Sequence, residues 1–332
     1  MAPTTNDEST PPRVPIPGPI IIGAGPSGLA VAASLQRLSV PSLLIERSDS
    51  IANLWNHQTY NRLSLHLPKH LCHLPHLPMP KSFPTYPTKS QFMSYLLSYT
   101  QSFSLKPIFN STAVSAQFDP VGVVWRVVVA RAGVGEIEYE SRWLVVATGE
   151  NAEPVVPAEE QAMEGFMEKE LREYREMLGM STFELAMDML KWLPMKMVDR
   201  FLVMVAKIML GNTKKYGLKR PRLGPLELKK TTGKSPVLDI GTLSFIKTGK
   251  IKKKEDDLRG LIRYSIVQNC DFFTKEGKPK SQFLNTWKGE NGLYCAGFTG
   301  KGLLGARTDA VKIASDVAGQ WRTLLENKKV VS

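Results

Sequence analysis

Six residues, Gly23-Ala24-Gly25-Pro26-Ser27-Gly28, follow directly on an apolar run, Ile20–Ile22. In a Gly-x-Gly-x-x-Gly of this kind each glycine has its own task. Gly23 permits the tight turn, Gly25 lets the backbone approach a pyrophosphate, and Gly28 lets a helix pack closely on a strand. The phosphates then rest on the helix N-terminus, where free N–H groups and the helix dipole favour negative charge. Glu46 stands 18 residues after Gly28, at the end of the next strand expected from the pattern. A carboxylate there can accept hydrogen bonds from adenosine ribose hydroxyls. The chemistry is the binding of a dinucleotide, and the fingerprint alone does not choose between FAD and NAD.

A second group is His66, His70, Cys72, His73 and His76. Imidazoles and a thiol at short spacing are ligands for soft metals. Pro68 and Pro75 interrupt any regular helix that could aim them together, so no metal site is expected. Gly300-Lys301-Gly302-Leu303-Leu304-Gly305 is another literal Gly-x-Gly-x-x-Gly. The residues after it read as one helix, with no second strand carrying an acid, so it is not expected to be a second dinucleotide site. No residue is assigned a catalytic role from the pattern.

The elements that must position these residues are legible. Ile20–Ile22 reads as a buried strand, and Gly28 opens a helix with Val31, Leu35 and Leu38 on one face. A turn at Val40-Pro41 leads to a strand over 42–45. Residues 57–88 are rich in Pro and His and read as irregular. A helix is expected over 91–103. Strands are expected over 123–129 and 137–140, turned near Gly133 and Gly135, and a buried strand over 143–147. Residues 159–177 are charged and helical in composition. Residues 181–210 are strongly apolar and split by Pro194, which predicts two helices packing into a core rather than lying on a membrane surface. A strand over 293–296 and a helix from about Ala306 complete the chain.

With 332 residues, 42% hydrophobic and 22% charged, the chain has the composition of a globular protein with room for two cores. Three cysteines far apart give no disulfide framework, which points to a reducing, cytoplasmic setting, with association at the endoplasmic reticulum left open. The formal charge is +12, much of it between Lys214 and Lys254. The first part of it, KKYGLKRPRLGPLELKK, is broken by Pro and Gly and holds only Tyr216 for stacking, so the stretch reads as a solvated basic face, and no nucleic-acid partner is expected. No stretch offers the roughly 20 uncharged residues of a membrane span. Residues 1–18 are polar and Pro-rich and read as a disordered leader.

Longer stretches carry a resemblance. GAGPSGLA, IERSDSIANLW, YNRLSLHLPK, FPTYPTKSQF, LVVATGENAEP, STFELAMDMLKWLP, GLKRPRLGPLELKKTTGKSPVLDIGTL and WKGENGLYCAGFTGKGLLGA are similar to the plant flavin-containing monooxygenases of the YUCCA family. The resemblance implies an α/β fold, with a doubly wound, Rossmann-like FAD-binding domain of the two-dinucleotide-binding flavoprotein type and a truncated second domain. It divides the chain into an FAD-binding first part (19–157), a truncated NADPH and substrate domain (158–284) and an FAD-binding C-terminal part (285–332). It further implies that Gly23, Ala24, Gly25, Pro26, Ser27 and Gly28 hold the FAD pyrophosphate and Glu46 its ribose. Leu54 and Trp55 then lie along the flavin, His66 and Leu67 bring a segment to the ring, and Thr148 and Gly149 close on the cofactor. Gly297 and Leu303 belong to the turn that aims a helix N-terminus at the flavin. The implied reaction takes hydride from NADPH, uses O₂, and converts indole-3-pyruvate to indole-3-acetate, the hormone auxin. The organic chemistry then belongs to the cofactor.

The same resemblance predicts a second dinucleotide site that is missing. After the Ala147-Thr148-Gly149 segment the family pattern opens with Phe-x-Gly-x-x-x-His and a second Gly-rich turn. Here no histidine follows Gly149, and no Gly-x-Gly occurs between Glu150 and Leu178. Too little chain precedes Ser181 for a βαβ unit of about 30 residues. Most of the NADPH-binding domain is therefore expected to be absent. The rival reading is a catalytically inactive FAD-binding or partner-binding remnant.

Overall fold

The computed structural model describes residues 11–59, 61–149, 172–174, 176–177, 180–210, 224–232, 237–239 and 287–331. The chain divides into two compact units. The first holds the described residues up to Leu65, those from Lys69 to Gly149, and those from 287 onward; the second holds His66–Pro68 and the described residues between 172 and 239.

The first unit is built on a four-stranded parallel sheet. Its strands are β2 (Ile20–Ile22), β3 (Leu43–Ile45), β7 (Leu144–Val146) and β12 (Leu293–Cys295), in the order β12-β7-β2-β3. Near-continuous apolar residues form these strands because both faces are covered, as parallel sheets require. Ile20, Ile21, Leu144, Val145, Leu293 and Tyr294 are fully buried. Helix α1 (Pro26–Arg37) follows β2 and lies against the long helix α8 (Gly302–Val331). The face expected from the spacing is buried at Val31 and Leu35, whereas Leu38 caps the helix and is exposed.

A second sheet packs on the first through one shared core, in which Ile20, Ile45 and Val146 meet Ala116, Trp125, Val127 and Tyr139. Its order is β1-β6-β5-β4, from β1 (Arg13–Pro15), β4 (Ser111–Asp119), β5 (Val124–Arg131) and β6 (Gly135–Ser141). The β5–β6 hairpin is the one the alternation predicts. Strand β1 corrects the boundary of the leader: Arg13–Pro15 pair in parallel with β6, and Arg13 Nε lies 2.8 Å from Glu138 Oε1. A proline is tolerated there because β1 is an edge strand. Between the sheets' elements run the short helices α2 (Asn53–His57) and α3 (Lys69–Cys72), then α4 (Lys89–Ser102). A reciprocal Thr88–Gln91 box caps α4, which begins two residues earlier than the pattern predicts.

In the second unit, β8 (Arg172–Tyr174) pairs in parallel with β11 (Val237–Asp239), and β9 (Glu176–Met177) pairs antiparallel with β10 (Met180–Ser181). The helical expectation for 159–177 is thereby corrected at its described end, because strand pairing overrides the helical composition of these residues. The rest of that stretch, like the basic run outside 224–232, lies outside the described residues. The split at Pro194 is as expected, giving α5 (Thr182–Met189) and α6 (Met195–Leu210). Ala186, Val198 and Leu202 bury against one another, while Trp192, Met204 and Ile208 stay exposed. Asp199 of α6 is buried and accepts from the Leu226 and Glu227 amides, 2.8 Å each, at the start of α7 (Pro225–Thr232). Among the described residues no helix is long and apolar enough to cross a membrane.

Candidate dinucleotide site

The turn from β2 into α1 gives each glycine a different physical reason. Gly23 sits at φ +107°, a conformation that side chains rarely adopt, and a Cβ there would fall 2.6 Å from the Ala147 carbonyl oxygen. At Gly28 a Cβ would fall 1.8 Å from the Gly23 carbonyl oxygen, so helix and strand could not close. Gly25 is the opposite case: its backbone is ordinary, and a Cβ would meet nothing within 4 Å. The first two glycines serve the fold, and Gly25 faces open space.

Gly25 is also the N-cap of α1, and no side chain caps that helix. Pro26 has no N–H to satisfy, and the amides of the first turn have no intrahelical carbonyl to bond. A turn with open space at Gly25 and uncapped amides behind it fits an anionic pyrophosphate.

Glu46 follows β3 and is buried. Its Oε2 accepts from Ala24 N at 2.7 Å and its Oε1 accepts from Ser48 N at 3.0 Å. The carboxylate therefore braces the glycine turn, a role the spacing does not announce. Each oxygen retains a second lone pair with which it can accept from a ligand hydroxyl.

Other expected residues gather on the same turn. Ala52, at φ +48°, donates its N–H to the Ala24 carbonyl at 3.0 Å, which ties the start of α2 to the loop. Leu54 and Trp55 follow on α2, half-buried, and Trp55 meets Phe92 edge-on with ring centroids 4.7 Å apart. Ala147 N donates to the Ile22 carbonyl at 2.9 Å, so Thr148 and Gly149 leave β7 beside the end of β2. Gly149 has φ +83° and open space where a side chain would be. His66 and Leu67 are grouped with the second unit.

Gly297 approaches from the end of β12. At φ +85°, its missing side chain would fall 2.3 Å from the Ser27 hydroxyl oxygen. Its N–H donates to Asp309 Oδ2 at 3.1 Å. Asp309 is 3% exposed, and burial pushes its carboxyl up to about 6 against the opposing Gly297 bond and the charges of Lys312 and Lys301. Leu303 lies in the first turn of α8, which begins at Gly302 rather than at Ala306. The sequence reading missed Asp309. Its signal is an acid three residues after Ala306 and one before Ala310, on a helix face that is otherwise apolar and buried through Ile313, Ala314 and Val317.

The histidine-rich segment has other work. His73 Nδ1 donates to the Leu74 carbonyl at 2.9 Å, and Nε2 accepts from Arg307 Nη1 at 2.8 Å. A guanidinium can only donate, so His73 is neutral with its proton on Nδ1. Burial, and then the Arg307 and His70 charges, lower its pKa. Among the described residues no three His, Cys, Asp or Glu come together to hold a metal ion.

A family model of pyridine nucleotide-disulphide oxidoreductases matches residues 20–178. The probable indole-3-pyruvate monooxygenase YUCCA4 of Arabidopsis thaliana is 43% identical over 386 residues, covering 95% of this chain and 93% of the relative. Its paralogue YUCCA7 is 45% identical over 381 residues, covering 92% and 88%. Both alignments are longer than the 332-residue chain, so each places gaps in it. A solved flavin monooxygenase from Stenotrophomonas maltophilia shares the fold, with a TM-score of 0.58 over 93% of this chain and 99% of that one, at 14% identity.

Proposed function

Since the chain belongs to the YUCCA family of flavin-dependent monooxygenases, we propose that it oxidises indole-3-pyruvate with O₂ and NADPH on a bound FAD. Products would be indole-3-acetate, CO₂, NADP⁺ and water. The observation that carries this reading is 43% identity across nearly the full length of both chains with a protein named for that activity.

FAD supplies hydride acceptance and oxygen chemistry when bound. The chain's part is to bind, orient and exclude water. Gly25, Ser27 and Gly28 would offer backbone amides to the pyrophosphate, with Gly23, Ala24 and Pro26 shaping the turn and Glu46 accepting from the ribose. Leu54, Trp55, Thr148 and Gly149 would flank the flavin. His66 and Leu67 would bring a segment toward the ring, and Gly297 and Leu303 would present the start of α8. In this reading residues 19–157 and 285–332 make the FAD domain, and 158–284 a shortened NADPH and substrate domain.

One observation favours a second reading. Alignments longer than the chain, with no second Gly-rich fingerprint before Ser181, support an FAD-binding protein that receives no hydride from NADPH. The test uses FAD-loaded protein under anaerobic conditions. Bleaching of the oxidised flavin band by NADPH, followed by indole-3-acetate formation on admitting O₂ and indole-3-pyruvate, is the outcome expected of the monooxygenase. A band that dithionite bleaches and NADPH does not would replace the first reading with the second. Protein that takes up no FAD would remove both.

A further inference from the structure

We propose that Asp309 is a positioning residue for the dinucleotide: its buried carboxylate fixes the turn at Gly297 against Ser27 at the start of α1. This rests on the FAD-binding reading above, and on either hydride outcome.

The argument starts from cost. A carboxyl that is 3% exposed on a helix otherwise packed with alanine, isoleucine and valine loses its hydration, and an apolar residue would pack there without that loss. Among the described residues its one hydrogen bond is directed at a single amide, Gly297 N. That amide belongs to a residue with two separate constraints. Gly297 holds φ +85°, and its α-carbon lies so close to Ser27 that a methyl group would fall 2.3 Å from Oγ and 3.2 Å from Cβ. Just before it, Ala296 N donates to the Val146 carbonyl at 3.0 Å, which fixes the strand end on that side. The Asp309 bond supplies the second anchor. It crosses from α8 to the end of β12 and sets how closely the 297–302 turn approaches the uncapped start of α1.

The charges near Asp309 are Lys301 and Lys312, and the facing helix α1 carries no ionisable side chain before Arg37. Neither lysine forms an ion pair with it among the described residues. A surface-type electrostatic role is therefore not what places an acid here. What the geometry uses is the acceptor oxygen, and an amide oxygen would serve as well.

The experiment titrates FAD into the full-length apoprotein and follows flavin fluorescence for wild type, Asp309→Ala, Asp309→Asn and Gly297→Ala. Alanine favours helix and removes a buried acid, so Asp309→Ala is expected to stay folded, which circular dichroism checks. Asp309→Ala should raise the FAD Kd tenfold or more, and Asp309→Asn should restore it to within about threefold of wild type. Gly297→Ala, which keeps Asp309 but pushes the turn off Ser27, should weaken binding as Asp309→Ala does. It carries the test should Asp309→Ala unfold. Wild-type affinity in either alanine variant would overturn the proposal, as would an Asn variant no better than the Ala variant. In both cases the FAD-binding reading stands on the wild-type titration. A wild type that binds no FAD ends both.

Discussion

The Gly23 carbonyl oxygen occupies the space that a side chain at position 28 would need, at 1.8 Å from its Cβ. Gly25, between them in sequence, has nothing within 4 Å of the same point. The two glycines should therefore separate under mutation. Gly28→Ala forces the first turn of α1 off β2 and should cost about 2–3 kcal/mol of stability in the apoprotein. Gly25→Ala should leave apoprotein stability within about 1 kcal/mol, because its backbone suits alanine, yet lose FAD affinity by at least tenfold. Thermal unfolding of both apoproteins, beside an FAD titration, checks the pair. Equal stability losses would contradict the division of labour.

Glu46 joins the loop to the strand that follows it, through Ala24 N and Ser48 N. Glu46→Gln keeps the shape but leaves one of these amides facing an NH₂ group. An unpaired buried donor costs about 1–3 kcal/mol. That loss should be measurable by urea unfolding with no FAD present. If Glu46 acted only on the ribose, apoprotein stability would be unchanged and the whole effect would sit in the FAD Kd.

These two sites mark how far the sequence could be read. The turn was legible because three glycines, an apolar strand before them and an acid after them are local signals, and the structure gives Gly23 and Gly28 steric reasons while Gly25 faces open space. The acid's second task was not legible, since it depends on Glu46 curling back to the Ala24 amide, a tertiary relation. Asp309 was hidden for the same reason: nothing near it in sequence announces that its partner is Gly297, across the fold. Strand β1 was masked by Pro15 and the prolines that flank it, which mark loops in general; Pro15 is tolerated because β1 is an edge. Arg172–Tyr174 failed by composition, since charged, helix-favouring residues were drawn into a strand pair by Val237–Asp239, distant in sequence.

Asp199 offers a test confined to the second unit. Both its oxygens are engaged by the Leu226 and Glu227 amides, so it caps α7 from another helix. Gly224 leaves room for it, since a Cβ there would lie 2.3 Å from the Asp199 carboxyl carbon. Asp199→Ala should cost about 2 kcal/mol of local stability. Native-state hydrogen exchange should show the Leu226 and Glu227 amides losing protection about thirtyfold, the same energy in kinetic form. Unchanged protection at those two amides would show that the cap contributes nothing.

His73 and Asp309 make opposite contributions to stability on the acid side of neutrality. Burial lowers the His73 pKa below 6.5, so the folded state binds its proton less readily than the unfolded chain. The His73 contribution is present above pH 6.5 and is lost as the pH falls below it and through the lowered folded value. Protonation would also set a second donor against Arg307. Burial raises Asp309 from 3.8 to about 6, so its contribution is fully present below pH 3.8 and is lost as the pH rises through 6. Removing each group should therefore tilt the stability profile in opposite directions. Asp309→Asn should gain on wild type as the pH rises from 4 to 7, by at most roughly 3 kcal/mol for a displacement of this size. His73→Gln, which can still accept from Arg307, should gain on wild type as the pH falls from 7 to 5. Urea midpoints of the three apoproteins across this range measure both tilts. The same direction in both variants would mean that at least one of the two groups titrates elsewhere in the folded protein.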